Sequence, residues 1–440
     1  MRERAYQLVL AAARPALRIA APFNEKLNRG TRGRADAVER LCTWGAAARG
    51  NGPVVWVHAP SVGESLMAQA IIAELRERVP DVQVVFTHFS PSAERVRERI
   101  GAEFTGYLPW DTPAQMGRVL DAIRPAALAF VRTEIWPTLV GLAAQRRIPS
   151  LLVNAVLSPR SSRLKPVARY FLGPAYTQLQ AVGAVNTPTA ERFEQLGVPR
   201  GRARITGDAR FDQVWNRVRG LDREQPVLTR LRSPSTTTLV AGSTWPSDLV
   251  DLLPAVARIG KVHPLRLIIA PHEPTAGQLR QLEGALARAG LSCGRLSALE
   301  SSSAPLPAAV VVDRLGVLAD LYSIGDISYV GGGFHDAGLH SIVEPAALGV
   351  PVLFGPRHSN APEADDLAGR GGGFVVRDAD SIASVLLSMI EQGDARRAAS
   401  AAAVAYVQSR LGAAGRNADL IRQALTINPP GAPPRPAMGG

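Results

Sequence analysis

A chain of 440 residues that is 46% hydrophobic and 20% charged has room for two or three packed domains and is too apolar for global disorder. Two cysteines, Cys42 and Cys293, exclude a disulfide framework or a cysteine-rich zinc site and point to a reducing compartment. The net charge of +12 calls for an acidic partner, but half of it sits in residues 1–50, and with only 5% aromatics and no later basic run among them, nucleic acid is disfavoured as that partner.

Residues 5–22 are the most apolar terminal stretch. Arg14, Pro15 and Arg18 interrupt it, so it falls short of the roughly 20 clean apolar residues of a spanning helix. It lacks a convincing small-residue cleavage site, which argues against a removed signal peptide. The segment 1–48 therefore reads as an apolar helix with cationic flanks (Arg2, Arg4, Lys26, Arg29, Arg32, Arg34) lying on an anionic membrane surface. The alternative is an ordinary helix packed on the first domain.

From Val54 onward, strands at 54–59, 82–88, 126–132 and 150–156 alternate with helices at 64–78, 91–99, 113–123 and 138–146. This alternation predicts parallel βαβ units, hence a Rossmann-like domain over 49–212. Residues 213–235 are polar and weakly patterned and read as a linker. A second series follows, with strands from Thr238 and at 265–270, 309–312, 326–331, 351–354 and 373–376. Helices at 247–257, 275–289, 315–322, 340–348, 380–391 and 394–411 separate them, giving a second domain over 236–412. A last helix within 413–427 could return to the first domain. The Pro/Gly-rich residues 428–440 read as a disordered tail.

The transition from Val54 to Ser65 ends an apolar strand in a Pro/Ser/Gly turn and begins a helix. It sets Glu64 at a helix start, where backbone N–H groups welcome negative charge and a carboxylate could act as base on a hydroxyl. Position alone fits a helix-capping charge equally well. Gly242-Ser243-Thr244 has small residues suited to close approach of a phosphate, or simply to strand–helix packing. Gly331-Gly332-Gly333 reads as a side-chain-free wall at a strand end, without the spacing of a dinucleotide fingerprint. Glu344 falls in the first turn of the following helix, where it could accept from a ribose diol or merely cap the helix dipole. His272 is as compatible with a solvated surface as with a phosphate contact. The seven histidines form no metal-binding spacing, and neither a G-x-S-x-G elbow nor a Walker A motif occurs.

Taken together, these blocks resemble the Kdo (3-deoxy-manno-octulosonic acid) transferases of lipopolysaccharide assembly, from the basic N-terminus to about residue 410. Ser61-Val62-Gly63-Glu64 is similar to the family's S-V-G-E, and Thr133-Glu134-Ile135-Trp136-Pro137 to T-E-L-W-P. Asn154-Ala155 with Ser158-Pro159-Arg160-Ser161 resembles N-A-R-L-S-x-R-S. Arg192-Phe193 with Leu196-Gly197 and Gly207 to Asp212 are similar to R-F-x-x-L-G and G-N-x-K-F-D. Ala241 to Thr244, the Gly331 block, His340 to Ala346 and Phe354 to Asn360 are similar to A-G-S-T, V-G-G, H-N-x-L-E-P-A and F-G-P-x-x-x-N. The chain departs from the pattern at Val156, Thr138 and Ser341, and has Pro271-His272-Glu273-Pro274 where many members have P-R-H-P-E.

The resemblance implies a GT-B fold, two Rossmann-like doubly wound α/β domains facing a cleft, acceptor domain first and nucleotide domain second. It implies inverting, metal-independent transfer of Kdo from CMP-Kdo to a tetra-acylated lipid A precursor at the cytoplasmic face of the inner membrane, with no cofactor. Glu64 would be the general base, and Glu134 would orient the substrates. Ser61, Gly63, Arg160 and Ser161 would lie on the acceptor side. Gly242, Ser243, Thr244, Gly331, Gly332 and Gly333 would hold the donor phosphate, Glu344 the ribose, and Asn360 would help anchor the donor. His340 and Ser341 belong to the same donor set, and His272 and Arg357 are the cations left for the phosphate. Another nucleotide-sugar donor or a non-catalytic membrane scaffold are the alternatives.

Overall fold

Runs of β-branched and aliphatic residues ending at Gly, Pro or a polar turn form the strands of two all-parallel sheets. In the computed structural model, which describes residues 2–300 and 302–427, the first sheet contains β1 (Val54–His58), β2 (Gln83–His88), β3 (Phe104–Tyr107), β4 (Ala127–Val131), β5 (Ser150–Ala155), β6 (Ala181–Ala184) and β7 (Ala203–Ile205). Their order is β3-β2-β1-β4-β5-β6-β7. Every residue of β1, β4 and β5 is buried, as expected where helices cover both faces of a parallel sheet. The period of two sorts β1 cleanly: Val54 and Trp56 join the core with Phe130 and Phe193, while Val55 and Val57 join Ile71 and Phe86 on the other face.

The second sheet contains β8 (Thr237–Thr244), β9 (Leu265–Pro271), β10 (Cys293–Arg295), β11 (Ala309–Val311), β12 (Ile327–Val330), β13 (Val352–Phe354) and β14 (Gly373–Val375), in the order β10-β11-β9-β8-β12-β13-β14. Leu239, Ile269 and Tyr329 pack one of its faces against Leu252, Val256 and Ile382. The chain thus forms two compact units. One runs to Gln213 and resumes at Leu411, and the other is Val214 to Arg410.

The stretch 213–235 is not an extended connection. It contains the end of a helix, Arg210–Arg219, and a second one, Pro226–Leu231. Val214 and Val218 are buried one turn apart, as are Leu228 and Leu231, so sparse apolar residues at helical spacing organise an otherwise polar segment. β3, β6 and β10 are short, and each contains a glycine, which weakens the alternating signal that predicts a strand. Residues 428–440 lie outside the described residues.

The N-terminal segment forms α1 (Arg2–Ala20), α2 (Glu25–Gly33) and α3 (Ala37–Ala47), followed after β1 by α4 (Val62–Arg78). Leu41 and Trp44 of α3 belong to the first core, so this segment is continuous with the first unit rather than a separate domain. α1 is docked by Tyr6, whose hydroxyl donates to Asp111 Oδ2 at 2.9 Å, and by Gln7, which donates to the Asp111 carbonyl at 3.1 Å and to Thr138 Oγ1 at 2.5 Å. Leu8, Val9 and Ile19 of the same helix are exposed, as is Phe23 in the 3-10 turn that follows it. Among the described residues, no helix is long and apolar enough to cross a membrane.

The last helix, Ala413–Ile427, packs along α4 through Ala414, Ala418, Ile421 and Leu425. Its Asn417 Oδ1 accepts from the Asn154 backbone N–H at 2.8 Å and from Thr206 Oγ1 at 3.2 Å, joining the ends of β5 and β7.

Candidate active site

The carboxyl ends of β1, β4 and β5 converge on Glu64, Glu134 and Asn154. Ser61 is the N-cap residue of α4, and Glu64 lies in its first turn, half-buried. The Ser61 hydroxyl donates to Glu64 Oε2 rather than capping the helix backbone, so one carboxylate oxygen is oriented by the neighbouring turn. Gly63 completes that turn. Arg132 follows β4 with φ of 79°, a left-handed conformation that costs a non-glycine residue energy. Its guanidinium is near enough to sense the Glu64 charge and lies 3.5 Å from Asp208, which Arg210 also contacts at 2.8 Å. Burial lowers the basicity of Arg132 against the pull of Asp208. Burial also raises Asp208, but Arg210 and Arg132 more than reverse it and hold the carboxyl below its ordinary range.

Asn154 has φ of 50° and is fully buried; its Oδ1 accepts from Ala209 N–H at 2.9 Å. It locks the loop bearing Asp208 to the end of β5. Glu134 is partly exposed, with Oε1 3.9 Å from His58 Nε2. Trp136 donates to that same nitrogen at 3.2 Å and stacks on Phe89 with centroids 5.3 Å apart. Phe89 in turn supports Arg34, whose guanidinium lies 3.7 Å over the ring. Arg34 is buried, its Nε has no partner among the described residues, and burial pushes it down to about 10. Arg160 is exposed, and Ser161 Oγ accepts from Arg163 N–H at 3.3 Å, capping a local turn.

In the second unit the predicted donor residues gather at the ends of β8, β12 and β13. Ser243 has φ of 54°, the third strained non-glycine residue at a strand end. The three glycines are not an open wall. A Cβ at Gly331 would stand 2.4 Å from the Ser243 carbonyl oxygen, and one at Gly333 would meet the Gly355 backbone at 2.5 Å. Glycine is required there because β8, β12 and β13 press their terminal backbones together.

Asp248, which sequence reasoning missed, binds this junction. Its carboxylate accepts from Trp245 N–H at 2.7 Å, Gly332 N–H at 3.0 Å and the Tyr329 hydroxyl at 2.8 Å. Trp245 stacks on His272 at 4.6 Å and on His335 at 4.0 Å between centroids, and its Nε1 donates to His340 Nε2 at 3.1 Å. Burial, with His272 and His335 nearby, lowers His340 to about 4, so it is neutral near pH 7 and accepts the indole proton.

Several predicted donor contacts are engaged within the protein. Glu344 accepts from Arg217 Nη1 at 2.8 Å, and burial raises its carboxyl although Arg217 opposes the shift. Asn360 uses both ends of its amide on Leu339, accepting from its N–H at 3.0 Å and donating to its carbonyl at 2.9 Å. Arg357 is exposed and paired with Asp336. The helix carrying Glu344 is Val343–Ala347, shorter than 340–348, so His340 and the exposed Ser341 lie in the preceding loop. Thr244 Oγ1 donates to the Ala270 carbonyl at 3.3 Å, and a Cβ at Gly242 would strike the Tyr322 hydroxyl. No group of three His, Cys, Asp or Glu side chains among the described residues is placed to hold a metal ion.

Residues 35–213 match the family model described as 3-deoxy-D-manno-octulosonic-acid transferase. The chain is 27% identical to the 3-deoxy-D-manno-octulosonic acid transferase of Haemophilus influenzae over 379 residues, covering 85% of this chain and 88% of that one. It is 27% identical to the Bordetella pertussis enzyme of the same name, covering 86% and 90%. Among solved structures, UDP-GlcNAc 2-epimerase from Neisseria meningitidis superposes with a TM-score of 0.60 at 12% identity, covering 85% of this chain and all of that one. MurG from Acinetobacter baumannii does so at 0.51 and 14%, covering 84% and 99%. The fold is GT-B, and the chain is a glycosyltransferase. Its sequence relatives include 3-deoxy-D-manno-octulosonic acid transferases, and the similarity to them extends over residues of both units.

Proposed function

We propose that this chain transfers Kdo from CMP-Kdo to a hydroxyl of the tetra-acylated lipid A precursor, with inversion and without a metal ion. The observation that supports the reading best is Glu64, in the first turn of α4 with one oxygen held by Ser61 and the Arg132–Asp208–Arg210 cluster alongside. As general base, Glu64 takes the acceptor proton while the acceptor oxygen bonds to the anomeric carbon. The bond from that carbon to the phosphate oxygen breaks, and CMP leaves with the electron pair. Arg132 is a cation beside the base, so it favours the carboxylate over the acid before the proton moves. The names of the relatives supply the Kdo group, and the strand-end cluster around Ser243, Trp245 and Asp248 is the proposed seat of the nucleotide.

The proposed place of work is the cytoplasmic face of the inner membrane. Exposed Leu8, Val9 and Ile19 on a helix docked through Tyr6 and Gln7, with exposed Phe23 in the turn after it, support an interfacial rather than spanning attachment. Incubating the full chain with CMP-Kdo and the lipid A precursor, and weighing the products by mass spectrometry, tests the reading. Appearance of a Kdo-bearing lipid is the expected result. Absence of product, with CMP failing to compete where UDP binds, would overturn the donor assignment.

A further inference from the structure

A cavity of about 390 Å³ opens in the first unit, between α2, the helical turns Pro91–Arg99 and the edge strand β3. Its lining includes Arg29, Arg32, Arg40 and Arg97 against Asp36 and Glu94. Glu94 is already paired with Arg29 at 2.6 Å and accepts a hydrogen bond from the Tyr107 hydroxyl. Arg32 and Arg97 are exposed and make no side-chain contact with a partner among the described residues. Arg40 lies 5.6 Å over the Phe104 ring and reaches only the Thr105 carbonyl, at 3.4 Å. Cationic charge therefore exceeds acidic charge at the mouth, and it is held on forked donors suited to phosphate oxygens. The His88 imidazole in the wall is neutral near pH 7, since burial lowers it to about 4, and adds no charge of its own.

What lies next to this cavity along the chain selects its ligand. Ile19 and Phe23 are 72% and 89% exposed and come just before α2, which carries Arg29 and Arg32 three residues apart on one face. A basic cavity with room for a phosphate head, preceded in the chain by solvent-facing apolar side chains, matches the two halves of a lipid molecule. We propose that this cavity seats the phosphate head of an anionic bilayer lipid while Ile19 and Phe23 enter the acyl region. The proposal rests on the membrane-surface part of the preceding reading.

Sedimentation of the full chain with phosphatidylcholine vesicles, with and without phosphatidylglycerol, tests it. The unsubstituted chain is expected to bind the phosphatidylglycerol vesicles more tightly, and added salt to weaken that preference. Each arginine near an anionic leaflet contributes about fivefold to partitioning, so Arg32→Gln with Arg97→Gln should weaken binding to them by about 25-fold. Arg118→Gln with Arg200→Gln removes the same charge from exposed positions of the same unit outside the cavity lining, and should leave most of the binding in place. An equal loss in both pairs would mean diffuse attraction and would overturn the proposal. So would unchanged vesicle binding by the Arg32/Arg97 pair combined with a raised KM for the lipid A precursor, because the cavity would then serve the acceptor. If the unsubstituted chain binds neither kind of vesicle, the membrane-surface reading itself fails and the lipid site falls with it. Circular dichroism of each variant shows whether the fold is retained.

Discussion

Trp136 Nε1 donates a hydrogen bond to His58 Nε2 at 3.2 Å, which assigns the histidine proton to Nδ1. Nδ1 lies 3.1 Å from Thr87 Oγ1, and that oxygen also receives the Trp56 indole N–H at 2.9 Å. The buried histidine is thus a positioning residue for the loop that presents Glu134. His58→Phe leaves the Trp136 donor unpaired, whereas His58→Gln can supply an accepting oxygen. We expect the Phe variant to lose at least tenfold in kcat with donor KM little changed, and the Gln variant to recover part of it. Steady-state kinetics together with tryptophan emission, which reports the indole environment, checks this.

Glu64→Gln keeps the shape of the side chain and removes its basicity. The transfer rate should fall by about a hundred- to ten-thousand-fold, while CMP binding measured by calorimetry stays within about twofold. Near-normal turnover would remove Glu64 from the mechanism.

Asp208 is largely buried and is the acidic partner seen for Arg132 and Arg210 at this loop. Asp208→Asn removes the carboxylate charge that Arg132 and Arg210 share. A loss of about 3 kcal/mol in urea unfolding is expected, with a larger loss for Asp208→Ala. Because the strained Arg132 backbone is steadied through this pair, activity should fall as well.

Asp248 is fully buried and accepts three hydrogen bonds. In Asp248→Ala the Trp245 and Gly332 amides and the Tyr329 hydroxyl lose their partner, at about 1–3 kcal/mol for each group left unsatisfied. CMP affinity should drop because the ends of β8 and β12 no longer hold together. Direct CMP titration, with thermal unfolding alongside, separates the two effects.

His88 gives a pH dependence whose sign follows from burial. Its imidazole, 2% exposed, is lowered from the ordinary 6.5 to about 4 chiefly by desolvation; His58 and Arg34 add to this, and the Ser90 carbonyl and Glu94 oppose it. Between those two pH values the unfolded chain binds the proton and the folded chain does not. The stabilisation is therefore fully present above about pH 6.5 and is lost progressively toward pH 4, by an order of 3 kcal/mol. Urea unfolding at stepped pH should show this slope, and His88→Gln should flatten it.

The alternation of apolar runs with helical patterns located most strands of both sheets to within a residue or two, because parallel strands buried on both faces are written as continuous β-branched stretches. β3, β6 and β10 escaped notice since a short strand holding a glycine has little pattern to read. The helix around Val214 and Val218 was hidden for the opposite reason, two apolar residues being enough once a core is there to receive them. Glu64 stood out at a helix start, and Glu134 only through the resemblance of the Thr133–Pro137 block. His58, Arg132, Asp248 and Arg34 did not, as their importance lies in partners 30 to 100 residues distant in the chain. Positive φ at Arg132, Asn154 and Ser243 marks both strand-end clusters, and of the three only Asn154 is of a type that favours it. Glu344 and Asn360 show the reverse: expected to meet the donor, they spend their hydrogen bonds on Arg217 and Leu339.

The closing helix has a bearing on how the protein is made. Ala414, Ala418, Ile421 and Leu425 are part of the first unit's core, and Asn417 satisfies the Asn154 N–H, although all of them are translated after Val214–Arg410. On a ribosome adding about 5–20 residues per second, the first unit waits roughly 10–40 s for its last layer while the second is synthesised as one uninterrupted piece. During that interval the α4 face of the nascent first unit stands bare and is a natural client surface for a chaperone. A stop codon placed just before Ala413 should therefore yield a chain whose second unit survives proteolysis and whose first unit does not.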